Sequence, residues 1–173
     1  WYRHLHQEDD YVRHSLTEYL REAIDGFEAF ALRNAGGSTR VLQATIRSAS
    51  GANEAYLLHE LSDGQRALVG LYTLAAVLKE IAVKQETPMT VCIDEPENYV
   101  ALAELQPWMH EIEDIADGEN AQVLIASHHP EFINHYAHTS ATLFYREGGG
   151  PVRTRPFTAE SDERLLPAEI VAR

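Results

Sequence analysis

Residues Val91–Val100 read "VCIDEPENYV". The apolar run "MTVCI" stops at two adjacent carboxylates, Asp94 and Glu95, and Pro96 ends it. A short continuous apolar run predicts a strand buried on both faces, as in parallel sheets. Its neighbours on either side have a different period. Upstream, "LSDGQRALVGLYTLAAVLKEIA" carries Leu68, Leu71, Leu74 or Ala75, Leu78 and Ile81, the wide apolar face of a long helix. Downstream, "ALAELQPWMHEIEDIA" is helical with an interruption at Pro107, and "AQVLIAS" is a second strand buried on both faces. Helix, buried strand, helix, buried strand is the grammar of an α/β domain with a mostly parallel sheet.

Further out the pattern completes at both ends. "PEFINHYA" starts a helix with Pro130 in its first position, where a missing N–H costs nothing. "ATLFYRE" and "VRTRPF" close with two strands around "GGGP". Toward the start, "DDYVRHSLTEYLREAI" places Val12, Leu16, Leu20 and Ile24 on one helical stripe. "GFEAFALRN" alternates, with Phe27, Ala29 and Ala31 on one side. "TRVLQATIRS" follows across "NAGGS", whose Gly36 and Gly37 suit a hairpin turn, and "EAYLLHEL" is a third strand. These three form an antiparallel sheet. The expected organisation is one partial domain over 1–173, with a helix and antiparallel strands in 1–60 and the α/β part in 61–173.

The chain has 173 residues and is 45% hydrophobic, enough for one core. Its net charge is −13, the opposite of a generic nucleic-acid surface, which must displace counterions from phosphates. No apolar run approaches the roughly 18 residues of a membrane span, and no secretory leader opens the chain. Cys92 is the sole cysteine, which excludes a disulfide framework or a cysteine-based zinc site within the chain and fits a reducing cytoplasm. The chain begins at Trp1 and ends on the amphipathic "LLPAEIVAR", so it reads as a piece of a longer protein.

Three stretches carry chemistry. In "LSDGQR", Ser62 and Gln65 have capping-box spacing. A helix N-terminus there would favour phosphate, and Gly64 would let a ligand approach the backbone. Asp63 opposes an anion unless its carboxylate turns away. Taken alone, this is an ordinary capped helix. In "VCIDEPENYV", Asp94 and Glu95 fall at the carboxyl end of a strand, where ligands of open α/β sheets sit. One carboxylate can hold a hard cation such as Mg²⁺ and the other can orient or deprotonate a water. Taken alone, it reads equally well as a solvated acidic turn between strand and helix. In "VLIASHHPEF", Ser127, His128 and His129 end the second buried strand. If the strands are neighbours, His128 lies near the carboxylate pair. His129, before Pro130, suits a capping role, and adjacent histidines diverge too much to share a metal.

The order "LSDGQR", "VCIDEPENYVALAELQPW", "VLIASHHPEF" resembles the C-terminal half of an ABC-type ATPase. The three correspond to its signature motif, its Walker B strand with D-loop, and its switch-histidine loop. The nearest group is the non-transporter one with RecF, SMC and OLD-family ATPases, found in DNA repair and anti-phage defence. The resemblance spans about Phe27 to Phe157. It implies the C-terminal part of a P-loop NTPase head, α/β, with an N-terminal antiparallel segment. It implies ATP and Mg²⁺ as cofactors, with Asp94 supporting the metal, Glu95 as the general base or water-orienting residue, and His128 as the switch histidine. Ser62, Gly64 and Gln65 would face the γ-phosphate held by the opposite protomer, and Asn98 would lie in the D-loop across the interface. A homodimer or higher oligomer closed around ATP follows, cytoplasmic and without a membrane partner. A nuclease or other effector would be its partner, and DNA would be reached through regions outside this chain.

Three features depart from the family pattern. No G-x-x-x-x-G-K-[ST] occurs, so the triphosphate cradle is expected upstream. Asp63 stands where transporters most often have glycine, and "NYVALAEL" is not the transporter D-loop. Two other readings stay open. One is a non-catalytic dimerisation or sensor module that keeps the fold, against which Glu95 counts. The other is a transporter nucleotide-binding domain, against which the D-loop counts.

Overall fold

The computed structural model describes residues 10–37, 39–84, 88–118, 120–157 and 166–171. These belong to two compact units, 1–125 and 126–173.

The first unit opens with helix α1 (Asp10–Ala23), whose Val12, Leu16 and Leu20 are buried as the stripe requires. Ile24 extends that stripe and is 4% exposed. Strands β1 (Phe27–Asn34), β2 (Arg40–Arg47) and β3 (Asn53–Leu57) form the expected antiparallel sheet, in the order β1-β2-β3. The phase of β1 differs from the sequence reading. A bulge between Phe27 and Ala29 shifts the register, so Phe27, Phe30 and Leu32 pair with Ile46, Ala44 and Leu42 on one face. The extra residue, Glu28, forms an ion pair with Arg47. Ala29 is therefore exposed rather than inward, because one unpaired residue inverts a period of two. At the entry to β1, a Cβ at Gly26 would lie 2.4 Å from the Arg47 carbonyl oxygen, so the close approach requires glycine. The third strand is shorter than predicted: after Leu57 the chain turns through a 3-10 helix, Leu58–Glu60, whose Glu60 carboxylate accepts from the Leu57 N–H at 2.6 Å.

Helix α2 (Asp63–Lys84) buries Leu68, Leu71, Ala75 and Leu78. Helix α3 (Leu102–Ala116) runs unbroken through Pro107, contrary to the expected interruption. Pro107 is exposed and stands little more than one turn into the helix, so its ring meets solvent and it forfeits a single backbone bond. Trp108 on α3 is fully buried and donates through Nε1 to the Leu71 carbonyl at 3.0 Å, joining α3 to α2.

Strands β4 (Met89–Asp94) and β5 (Ala121–Ala126) pair with each other. The Met89 N–H donates to the Asn120 carbonyl at 3.1 Å, and Thr90 Oγ1 donates to Gln122 Oε1 at 3.1 Å. The strands thus begin side by side and run parallel, with α3 as the crossover. Neither is buried on both faces, a second correction. Val91, Ile93, Val123 and Ile125 are half-buried, while Thr90, Cys92, Asp94, Gln122, Leu124 and Ala126 are exposed. Among the described residues this sheet has two strands, and one of its faces is covered.

The second unit holds helix α4 (Pro130–Ser140), the hairpin of β6 (Thr142–Tyr145) and β7 (Arg153–Pro156), and helix α5 (Pro167–Val171). Phe132 and Ala137 are the buried residues of α4, and Pro167 of α5 is buried as well. Asn134 on α4 accepts from the Ala168 N–H at 3.0 Å, tying α5 to α4.

Candidate functional site

The predicted cap at the start of α2 is present in both directions. Ser62 Oγ accepts from the Gln65 N–H at 3.1 Å, and Gln65 Oε1 accepts from the Ser62 N–H at 3.0 Å. Two backbone donors of the first turn are thereby satisfied. Asp63 is not the cap. Its carboxylate is paired with Arg66, whose guanidinium also donates to the His59 carbonyl at 3.1 Å. The negative charge is turned toward a cation.

Asp94 is the last residue of β4, on the exposed side of the strand. Glu95 then breaks the strand with φ of 47°, in the left-handed region. Buried Pro96 follows. The Asn98 N–H donates to the Glu95 carbonyl at 3.1 Å, and Asn98 Nδ2 donates to Glu95 Oε2 at 2.9 Å. Asn98 therefore fixes both the backbone and the carboxylate of Glu95. Tyr99 is a second left-handed residue, φ 71°, and is 77% exposed. Left-handed backbone costs a non-glycine residue about 1–2 kcal/mol, so two in five residues require support from outside the turn.

That support comes from α2. A Cβ built at Gly64 would lie 2.6 Å from the Tyr99 carbonyl oxygen. The sequence reading gave Gly64 to a ligand approaching the backbone. The backbone that approaches is the chain's own. The signature-like helix start and the acidic turn are consequently one packed object, joining Ser62, Gly64 and Gln65 to the turn of Glu95 and Asn98. Tyr99 was not legible as a site residue, because nothing in a tyrosine announces left-handed backbone.

In the second unit, Ser127 Oγ accepts from the His129 N–H at 3.0 Å, and His129 Nδ1 accepts from the Glu131 N–H at 3.2 Å. His129 is the N-cap of α4, as its place before Pro130 suggested. His128 is exposed between them.

Among the described residues no group of three His, Cys, Asp or Glu side chains converges to hold a metal ion. Asp94 at an exposed strand end instead fits Mg²⁺ of the kind bound by one or two carboxylates together with phosphates and water. Among the described residues no helix is long and apolar enough to cross a membrane.

No protein-family model matches the chain, and no curated protein matches it by sequence. Among solved structures it is similar to an SMC ATPase, from work on ATP-driven dimerization and DNA-stimulated activation of those enzymes. The two are 11% identical, with a TM-score of 0.61, over 90% of this chain and 89% of that one. The likeness is one of fold. Over that length the chain shares the fold of the SMC ATPase.

Proposed function

We propose that this chain is the catalytic part of an ATP-binding and hydrolysing head that works as a dimer. The observation that supports it most is the close approach of Gly64, within "LSDGQ", to the Tyr99 carbonyl of the turn that follows Asp94 and Glu95, inside a fold shared with an SMC ATPase. In this reading Asp94 holds Mg²⁺, which neutralises phosphate charge when bound. Glu95 orients and deprotonates the attacking water. Asn98 holds the Glu95 carboxylate through Oε2 and so fixes its orientation. Ser62 and the first-turn N–H groups of α2 face a phosphate presented by the opposite protomer, where a helix start favours negative charge. His128 takes the switch role. The chemistry is phosphoryl transfer to water, achieved by positioning and charge stabilisation. The phosphate cradle would come from chain outside these residues. The biological setting would be cytoplasmic, coupling hydrolysis to an effector in DNA repair or anti-phage defence.

The test is Glu95→Gln in the full-length protein. The amide keeps the shape and the Asn98 contact but cannot take a proton. Hydrolysis should fall by about 10²-fold or more, in the range of general-base catalysis, and an ATP-bound dimer should accumulate. Hydrolysis at the parental rate would remove Glu95 from its role.

A further inference from the structure

We infer that Gly64 is a positioning residue for Glu95: the absent side chain at 64 lets the Tyr99 carbonyl seat on the first turn of α2, and that seat holds the turn aiming the carboxylate. The inference rests on the proposed role of Glu95 and deepens it.

Gly64 has no backbone reason to be glycine. It is helical and is absent from the positive-φ residues, and alanine would favour a helix there by about 1 kcal/mol. What excludes a side chain is space. The atom 2.6 Å from a Cβ would be a carbonyl oxygen, which cannot swing aside as a long side chain can. Gly70, on the same helix, provides the contrast: a Cβ there would meet nothing within 4 Å.

The other partner in the contact needs holding. Glu95 and Tyr99 both carry left-handed backbone, and the Val100 N–H donates to the Glu97 carbonyl at 3.2 Å. The turn is therefore bracketed, by Asn98 on Glu95 at its start and by Gly64 against Tyr99 at its end. A methyl at 64 must push the Tyr99 carbonyl outward, and the displacement has five residues in which to reach Glu95. Reaction rates fall about 10²-fold for a misplacement of about 1 Å, so a shift of a few tenths is expected to cost about tenfold.

The experiment compares Gly64→Ala with Gly70→Ala in the full-length protein. Amide hydrogen exchange of residues 97–100 is recorded without nucleotide, so that contact with a phosphate does not enter. The single-turnover rate constant for ATP is measured beside it, because it does not depend on the active fraction. G64A should speed exchange at Asn98 and Val100 by about tenfold and slow the single turnover by about tenfold. G70A should leave both within about twofold, as expected for a site with no contacts to disturb. Exchange in G64A that matches G70A would overturn the seat. If G64A does not fold, Tyr99→Gly in the G64A background should restore folding, since glycine frees the carbonyl to turn away; no rescue would also overturn it. Should the parent hydrolyse no ATP while exchange responds as expected, the proposed function fails and the seat stands. Robust parental hydrolysis with unmoved G64A exchange has the opposite meaning.

Discussion

Helix α2 carries a polar cluster at each end, and the two are built on different principles. Near its C-terminal half, Lys79 Nζ donates to Glu111 at 2.7 Å and to the Tyr19 hydroxyl at 2.9 Å, and Tyr19 itself donates to Glu111. One residue comes from each of α1, α2 and α3. The groups are part-buried and serve one another. At the N-terminal end, by contrast, Ser62 and Asp63 are exposed, and the neighbouring turn holds two left-handed residues. In the first cluster the three groups are hydrogen-bonded to one another. The second carries backbone strain and presents Asp94 and Glu95 at a strand end. Strain retained beside exposed charge is the pattern expected of a working site, and mutual pairing across three helices that of a brace.

This contrast predicts that changes at the brace alter stability and leave the turn alone. The largest effect belongs to Trp108→Ala, which empties the fully buried contact under the middle of α2 and should cost about 3–5 kcal/mol in denaturant unfolding. A loss under 1 kcal/mol would mean that the α2–α3 packing is not the core of this unit. Lys79→Met comes next. It leaves the Glu111 carboxylate with Tyr19 as its remaining partner in the cluster and should cost about 1–2 kcal/mol, discounted because Lys79 is 40% exposed. If the same variant also accelerated exchange in the Glu95–Val100 turn, the two ends of α2 would not be independent.

The brace has a pH signature as well. Burial, with the nearby Glu22 and Glu111 charges adding to it, pushes Tyr72 from 10.0 up to about 12. Burial and the hydrogen bond to Glu111 raise Tyr19 further. The Glu111 and Tyr19 hydrogen bonds raise Lys79. All three groups hold protons in the folded state that the unfolded chain releases from about pH 10. The unfolded state thus binds fewer protons, and stability falls as pH rises. The contribution is intact below pH 10 and is lost progressively above it. Thermal melts between pH 8 and 11.5 should show this decline, with a shallower slope in Tyr19→Phe. An unchanged slope in that variant would remove Tyr19 from the effect.

How much of this could be read in the sequence follows from the range of each interaction. The stripe Val12, Leu16, Leu20, Ile24 and the Ser62–Gln65 box were legible because their partners lie three or four residues apart on one helix. The parallel pair and its acidic end were legible from "MTVCI" and "AQVLIAS". The bulge at Glu28 was not, since a bulge exists only relative to a partner strand. The open face of β4 and β5 was not either, because an apolar run reports that a strand can be buried, not how many neighbours cover it. Tyr19, Lys79 and Glu111 come together through the packing of three helices. Tyr99, with left-handed backbone, lies against a glycine on another element. Each of these depends on tertiary contact, which local patterns do not contain.

The smallest stability effect falls at the N-terminal end of α2 and separates its two readings. Ser62 has one demonstrable task, accepting from the Gln65 N–H, and one proposed task, facing a phosphate. Ser62→Ala removes both and should cost about 1 kcal/mol, or a few degrees in melting temperature. Ser62→Asp is the sharper change, because aspartate caps a helix as well as serine does and so should melt close to the parent. Its carboxylate would repel a phosphate at that position. Under the cap-only reading, S62D behaves as the parent in ATP-dependent dimerisation, measured by light scattering. Under the phosphate reading, S62D keeps its melting temperature and loses the nucleotide-dependent dimer. A fully dimerising S62D would leave the start of α2 as a second brace and dissolve the contrast between its ends.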